Sequence, residues 1–351
     1  MFIGIEFSRG VAALMVLITH YSYMITNGSG GILNFLWTGV DLFFVISGFV
    51  FAKLIYSGKV NLKHFFIRRF FRLFPIYLLT LIIYFMLSTR NSESIHYLIN
   101  HIFFLHTLTS LEEAFYFNPA FWSLPVEVEF YLFVPLIAYL TKFKNALLKI
   151  FFVAIIFKLF LVLNRTPGEV DSYYILSVHL TGILAEFLIG TFLYKFILTP
   201  NCYSKDIKFR IIIGGLGVLF ISSLASHFVN VGGSLDNHSV LIGGFFNILC
   251  ALSYAFILFP LSFVNEQNTP KYLKHILIYT GAISYPVYLI HNASPKIFQL
   301  MDIHLNGIIL FLASLFFTLF VAIVLHNYIE EPLRLYGQRI SRKYIYRLSE
   351  K

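Results

Sequence analysis

Long apolar runs recur along the whole chain, and this feature limits the possible folds more than any other. A helix that crosses a lipid bilayer needs about 20 mostly apolar residues. Ten runs approach that length, at residues 7–26, 33–57, 74–88, 120–140, 146–163, 173–198, 210–228, 238–265, 275–295 and 305–329. Only 12% of the 351 residues are charged, about half the share found in soluble domains. The sequence therefore predicts an all-α polytopic membrane protein with about ten transmembrane helices, and it excludes a soluble enzyme.

The lysine and arginine residues between these runs predict how the helices are oriented. Twenty of them fall in the connections on one side and three in those on the other. Because basic residues are enriched in cytoplasmic loops, we expect both termini and residues 58–73 in the cytoplasm, and residues 27–32 and 229–237 outside. The third run is short, and the aromatic stretch at 95–108 is expected to form a re-entrant or interfacial helix.

Charge and cysteine content exclude further classes of function. The basic residues behind the net charge of +9 lie between apolar runs, where they set membrane orientation. We therefore predict contacts with membrane lipids and no nucleic-acid partner. The two cysteines, Cys202 and Cys250, have neither a metal-ligand spacing nor a plausible pairing as a disulfide, so neither a metal site nor redox chemistry is predicted.

The first run carries two ionisable residues, Arg9 and His20. Eleven residues at 100° each bring both side chains to within about 20° of one helix face, with about 16 Å between them along the axis. Because ionisable groups at depth are costly unless they are paired or functional, this face is predicted to link the cytoplasmic surface to a deep, functional imidazole. The simpler alternative is that Arg9 reaches lipid headgroups and His20 bonds a neighbouring helix.

The second run contains a carboxylate, Asp41, about eight residues from its outer end. At 1.5 Å per residue this position is close to the predicted depth of His20. A carboxylate beside an imidazole fixes its tautomer and stabilises its protonated form in acyl-transfer sites. A purely structural pair would use the same contact. Gly48, one heptad further along, indicates close approach of another helix on this face.

Residues 62–74 are predicted to form a separate interfacial helix on the cytoplasmic side, ended by Pro75. Its three arginines, Arg68, Arg69 and Arg72, cover an arc of about 100° opposite an apolar face. Attraction to anionic lipid headgroups is the commonest role of such helices. A phosphate-rich cytosolic ligand would suit the same three guanidinium groups.

Polar groups also converge near the predicted outer ends of two later runs. Glu127 and Tyr131 are four residues apart and share a helix face, whereas Glu129 points about 200° away from it. The two glutamates are therefore expected to do different jobs. In the ninth run one face carries Ser284, Tyr288 and His291. Together these groups predict an outward-facing polar cavity.

Six sequence elements in order make the chain resemble the acyltransferase 3 family of integral-membrane O-acyltransferases. They are Arg9 with His20 as R-x10-H, the run Gly39–Phe49, the run Arg68–Pro75, Trp122-Ser123-Leu124 leading to Glu127 and Phe130-Tyr131, the run Ser284–His291, and Glu330-Glu331-Pro332. Pro125 and the Val128-Glu129 pair differ from the usual sequence motif of the family at these positions. The elements extend over nearly all of the chain, so we expect one membrane acyltransferase domain over residues 1–351 with no appended soluble domain.

The resemblance implies transfer of an acyl group, most often acetyl, from cytosolic acyl-coenzyme A to a hydroxyl of a cell-surface or lipid-linked polysaccharide. The enzyme would lie in the bacterial inner membrane, with acetyl-coenzyme A as donor substrate and no permanently bound cofactor. A competing hypothesis is a polytopic transporter or flippase of lipid-linked sugars. Transporters often show paired repeats with broken helices at matching positions, and the sequence shows none.

The resemblance also implies roles for particular residues. The phosphates of coenzyme A would be held by Arg9, Arg68, Arg69 and Arg72. Chemistry would be carried by His20, Asp41 and Glu127, with His20 acting either as a general base or as a nucleophile. The acceptor side would be shaped by Trp122, Tyr288 and His291.

Overall fold

The computed structural model describes residues 2–26, 30–89, 91–164, 175–199, 206–233, 240–265, 267, 269–303 and 305–349. Within these ranges the chain is helical, and its only extended pairing is a single bridge between Phe2 and Asn265. Nine of the described helical stretches are long and apolar enough to cross a membrane. The predicted all-α polytopic membrane fold is confirmed. Its orientation stays a prediction, and residues 27–29 and 234–237 of the expected outer connections lie outside the described residues, as does Cys202.

The helices are numbered here in chain order. The first eight are α1 (Ile3–Ile25), α2 (Gly39–Tyr56), α3 (Leu62–Leu87), α4 (Ser94–Ile102), α5 (Leu111–Phe115), α6 (Ser123–Leu140), α7 (Ala146–Leu163) and α8 (Leu180–Leu198). The others are α9 (Ile207–Asn230), α10 (Val240–Leu261), α11 (Lys271–Ala282), α12 (Ser284–Ile290), α13 (Ala293–Leu300), α14 (Gly307–Leu325) and α15 (Glu331–Ser349). Short 3-10 helices at Gly31–Thr38 and Pro119–Trp122 lead into α2 and α6, and a π-helical turn at His326–Glu330 joins α14 to α15.

The predicted span at 275–295 is broken into three helices, whereas each of the other nine predicted spans overlaps one long helix of the described chain. The breaks fall where α11 passes into α12 and where α13 begins. Pro286 and Pro295 each lie in the first turn of the new helix, which tolerates the missing N–H of proline. The hydropathy pattern indicates one apolar segment here, but the helices restart at the prolines within it.

The separate interfacial helix predicted for residues 62–74 is wrong, because α3 continues through Pro75 to Leu87. Its first half packs against α15 instead of lying alone at the membrane surface. Gly337 of α15 is so close to Phe71 that an added Cβ would come within 2.4 Å of the Phe71 Cβ. This helix pair carries the arginines of α3 inward, toward the middle of the bundle.

The aromatic stretch at 95–108 folds back along the second half of α3, and its expected re-entrant or interfacial position stays a prediction. The Tyr77 hydroxyl donates to the carbonyl of His101 at 2.8 Å, although the two residues lie in different helices. The imidazole rings of His101 and His106 stack in this hairpin with centroids 3.9 Å apart, and both rings are fully buried. The hairpin therefore seals a pair of imidazoles away from solvent.

Close backbone contact joins α2 to α8, as Gly48 predicted. A Cβ added at Gly48 would lie 1.8 Å from the Phe187 carbonyl oxygen, and one added at Gly190 would lie 1.9 Å from the Val45 oxygen. Glycine on each helix thus admits the backbone of the other, the arrangement that small residues give between membrane helices. One wall of the central cavity is fixed by this contact.

Candidate active site

A cavity of about 870 Å³ lies at the centre of the bundle, between α1, α2, α3, α6 and α12. Seven of the residues singled out from the sequence line it, namely Arg9, Arg69, Arg72, Glu127, Tyr131, Ser284 and Tyr288. Three more polar residues line it as well, namely Ser47, Ser123 and Tyr285. Ser47 could have been found from the sequence, because it is the one hydroxyl in the apolar stretch 42–49.

Three guanidinium groups form one end of the cavity. Arg9 is paired with Glu6 at 3.3 Å, and Arg72 with Glu330 at 3.1 Å. Arg69 instead lies over the rings of Phe51 and Tyr131, 5.0 and 5.8 Å from their centroids. Among the described residues no carboxylate forms an ion pair with Arg69, so its charge is the least compensated of the three.

Arg68 lines a second groove of about 900 Å³ and does not line the central cavity. Lys53 and His64 line this groove too, and no acidic side chain of the described chain does. The groove and the cavity share the side chains of Val50, Phe51 and Arg69. Arg69 therefore marks the junction between a basic groove and the deeper cavity.

The two glutamates of α6 face different surroundings, as their positions on the helix predicted. Glu127 lines the cavity and accepts a hydrogen bond from the Tyr131 hydroxyl. Glu129 instead caps α8, where it accepts the backbone N–H of Leu180 at 2.7 Å and bonds the ring of His179. Only Glu127 is placed to meet a molecule inside the cavity.

Tyr288 forms the other end of the cavity, and a pair of histidines, His20 and His291, lies next to Tyr288 without lining the cavity. The Tyr288 hydroxyl lies 2.6 Å from the Ser123 hydroxyl and donates to the Ala120 carbonyl, also at 2.6 Å. The ring of His291 lies 6.1 Å from that of Tyr288 and 4.9 Å from that of His20, measured between centroids. Nδ1 of His20 and Nε2 of His291 are 3.2 Å apart. The arginine end and His20 are thus linked by one continuous series of side chains.

Asp41 is not the partner of His20 that its predicted depth suggested. Its Oδ1 accepts a hydrogen bond from Asn247 at 2.8 Å, and the side chains of Lys158 and Glu186 lie beside it. The preceding 3-10 helix rises about 2.0 Å per residue instead of 1.5 Å, which carries Asp41 deeper than an α-helix would. Gly39 accordingly packs against Ala12 and Val16, well below His20 on α1.

Trp122 does not line the cavity either. Its ring packs edge-on against Phe44, with 6.3 Å between centroids, and it is Phe44 that forms the wall. Trp122 therefore supports the cavity from behind.

Comparison with known proteins matches this architecture to one family. Residues 2–327 match the acyltransferase 3 family, which is described as an acyltransferase domain. The chain belongs to this family. Membership confirms the resemblance seen in the sequence.

Two relatives illustrate the relationship. The O-acetyltransferase OatA of Staphylococcus aureus (strain NCTC 8325) is 27% identical over 365 residues, covering 95% of this chain and 57% of the relative. A Staphylococcus aureus (strain COL) protein provisionally named an O-acetyltransferase is 27% identical over 370 residues, with the same shares covered. The chain thus spans little more than half the length of these relatives. No solved structure matches it.

Proposed function

We propose that the protein transfers an acyl group, most simply acetyl, from acyl-coenzyme A across the bacterial inner membrane to a hydroxyl of a cell-surface or lipid-linked glycan. One observation carries the proposal, namely a single cavity whose basic end is continuous with a basic groove and whose other end adjoins Tyr288 and the His20–His291 pair. The names of the relatives support a hydroxyl acceptor. The domain of residues 1–351 would suffice for this step.

The basic groove suits the nucleotide end of the donor. Lys53 and Arg68 lie in the groove, and Arg69 stands where the groove meets the cavity. A guanidinium can bind two phosphate oxygens at once, and Arg69 has no carboxylate to displace. Arg9 and Arg72 lie further along the path, each partly neutralised by a glutamate. The phosphates would bind at Arg69 and the pantetheine arm would enter the cavity.

Glu127 lies midway along this path. On α6 it is one turn from Ser123, which contacts Tyr288, and one turn from Tyr131, which contacts Arg69. Its carboxylate is held by Tyr131 and can accept a hydrogen bond from an amide N–H of the donor or from a hydroxyl of the acceptor. Tyr288 and Ser123 would meet the acceptor at the far end of the cavity.

His20 would carry the chemistry in one of two ways. As a general base it takes the proton of the acceptor hydroxyl while the oxygen attacks the thioester carbonyl carbon; the carbon–sulfur bond then breaks, and the thiolate of coenzyme A recovers that proton. As a nucleophile His20 first forms the carbon–nitrogen bond and expels the thiolate. The acceptor oxygen then takes the acyl group as the carbon–nitrogen bond breaks, and the proton of the acceptor hydroxyl passes to the thiolate. Both routes give an ester and coenzyme A with free thiol.

The test uses the protein in vesicles of known orientation. Labelled acetyl-coenzyme A is supplied outside, and polysaccharide from cells that lack the gene is trapped in the lumen. Orientation is read from the exposed residue Ser57, as Ser57→Cys in a variant without Cys202 and Cys250, with a membrane-impermeant maleimide. Molecules with the Ser57 end outside should label the trapped glycan and release coenzyme A outside.

Two results would overturn the proposal. Glycan movement across the bilayer in the absence of any donor would establish the flippase hypothesis instead. Labelling that requires donor and glycan on the same face would contradict transfer through the cavity. Mass spectrometry of surface glycans from cells with and without the gene gives an independent check, because the added acyl mass should disappear with the gene.

A further inference from the structure

We propose that His291 is a positioning residue that fixes the tautomer of His20 and leaves Nε2 of His20 with a free electron pair. This inference rests on the proposed function, in which His20 performs acyl transfer. It also revises the expectation that His291 contacts the acceptor, because the side chain of His291 is fully buried and does not line the cavity.

The tautomer of His291 follows from its own neighbours. Its Nδ1 lies 2.8 Å from the carbonyl oxygen of Tyr288 and 3.3 Å from that of Val287. A carbonyl oxygen can only accept a hydrogen bond, so Nδ1 carries the hydrogen. In a neutral imidazole the other nitrogen is then an acceptor. Nε2 of His291 thus presents an electron pair to His20.

The tautomer of His20 follows in turn. Its Nδ1 lies 2.9 Å from the carbonyl oxygen of Val16 and 3.2 Å from Nε2 of His291. Both neighbours accept, so Nδ1 carries the hydrogen and shares it between them. Nε2 of His20 is therefore unprotonated, and it makes no hydrogen bond to the described residues. A base or a nucleophile needs such a nitrogen.

Three other helices hold His291 in place. The Tyr21 hydroxyl donates to the backbone carbonyl of His291 at 2.5 Å and lies 2.8 Å from the Thr318 hydroxyl. Thr318 in turn bonds Ser294 at 2.5 Å. Residues of α1, α13 and α14 thus fix the backbone from which the imidazole extends. A ring held in this way cannot turn away when His20 changes its protonation state.

The pairing also suits the charge that develops during the reaction. When Nε2 of His20 gains a proton or an acyl group, the ring becomes cationic, and a hydrogen bond donated by a charged group is stronger than one between neutral groups. Nε2 of His291 and the Val16 carbonyl accept that bond. His291 therefore performs, as a neutral group, the service that a carboxylate gives to the imidazole in a catalytic triad.

The direct test is histidine-selective ¹⁵N nuclear magnetic resonance of the whole protein in nanodiscs, with His20→Gln used to assign the His20 signals. In the parent protein His20 should show a protonated Nδ1 and an unprotonated Nε2. In His291→Leu, which removes the acceptor, the His20 signals should move toward a mixture of tautomers. A parent spectrum in which Nε2 of His20 carries the hydrogen overturns the inference, whatever the activity.

Kinetics supply the second measurement. His291→Leu should lower kcat by about 10²-fold, the scale of a general-base contribution, with the donor KM unchanged. His291→Gln should recover most of that loss, because its amide oxygen can accept from His20. His227→Leu makes the same change at an exposed residue of α9 and should leave kcat unaltered.

The two proposals fail in different ways. If His291→Leu, shown folded by its thermal transition, keeps both the parent kcat and the parent ¹⁵N signals of His20, His291 does not position His20. If instead His20→Ala stays active while the His20 tautomer depends on His291, the contact is established and the chemical role of His20 is wrong.

Discussion

Two polar groups of residues lie inside the bundle, and they differ in what they can reach. The first group is His20, His291 and Tyr288, of which Tyr288 lines the central cavity, and Nε2 of His20 makes no hydrogen bond to the described residues. No member of the second group, Asp41, Lys158, Glu186 and Asn247, lines the cavity. Its members come from α2, α7, α8 and α10.

The second group is sealed by its own contacts. Asn247 donates to Asp41, and the Lys158 ammonium donates to the Gly182 carbonyl at 3.0 Å. Asp41, Glu186 and Lys158 are all buried. The comparison shows that the cost of burying an ionisable group can be offset by structure as well as by function. The first group reaches the cavity through Tyr288, whereas no residue of the second group lines it.

The largest difference between the groups is expected at His20. His20→Ala should lower acyl transfer by at least about 10²-fold, because the imidazole that carries the proposed chemistry would be lost. Donor binding should persist, since the basic groove is untouched. Turnover and acetyl-coenzyme A affinity of purified protein check both points. A folded His20→Ala enzyme with near-parent turnover would show that His20 does not carry the chemistry.

Asp41 gives the opposite expectation. Asp41→Ala removes the acceptor of Asn247 and a counter-charge of Lys158, which should cost about 3 kcal/mol of stability, as for other broken buried pairs. The folded fraction should keep most of its kcat. Thermal unfolding and turnover per folded molecule, measured together, separate the two effects. Equal loss of kcat in Asp41→Ala and His20→Ala, with an unchanged unfolding temperature, would show that Asp41 takes part in acyl transfer.

The arginines test the donor end of the cavity. Arg69→Ala should raise the donor KM by roughly tenfold to a hundredfold, in the range of a truncated charge contact, while kcat changes little. Arg72→Ala should have a smaller effect, because Glu330 already offsets its charge. Arg339→Ala removes an exposed arginine of α15 and serves as the matched control. Equal effects of Arg69→Ala and Arg339→Ala would show that only diffuse charge matters.

The smallest effect concerns the sealed imidazoles of the hairpin. Burial lowers the pKa of His106 to about 4, and the pKa of His101 is lowered too, by burial and by the charge of His106. Below pH 6.5 these two imidazoles become protonated in the unfolded chain, whereas in the folded protein they stay neutral to a lower pH. Stability should therefore fall as pH drops from about 6.5 toward 4, by about 1.4 kcal/mol per pH unit for each such group.

His106→Gln isolates this contribution. Its amide can still donate to the Phe121 carbonyl, which lies 3.2 Å from Nε2 of His106, but it does not titrate. The unfolding temperature of His106→Gln should fall less steeply between pH 6.5 and pH 4 than that of the parent. Parallel curves would mean that His106 binds a proton as readily in the folded protein as in the unfolded chain.

Much of the fold follows from periodicity and hydropathy, because these act within one helix. The spans, the common face of Arg9 and His20, and the different roles of Glu127 and Glu129 are all properties of single helices. The close contact at Gly48 was predicted for the same reason, although its partner α8 was not.

The rest depends on contacts between helices, which leave no local signal. The partner of Asp41 was missed because the 3-10 helix before it changes the rise per residue. The continuity of α3 through Pro75 depends on packing against α15, and the pairing of His20 with His291 joins residues 271 positions apart. Glu330 was noticed in a motif, but its ion pair with Arg72 could not be foreseen.

The glycine contact between α2 and α8 has a mechanical consequence. Since the two backbones touch at Gly48 and Gly190 with no room for a methyl group, neither helix can slide or tilt against the other without a clash. They form one rigid unit, and this unit carries the α2 side of the cavity. The helices α1, α3, α6 and α12 supply the other walls, and an apolar cleft lined by Phe70, Phe74 and Leu132 separates α3 from α6. A change in the shape of the cavity must therefore come from these helices and not from movement between α2 and α8.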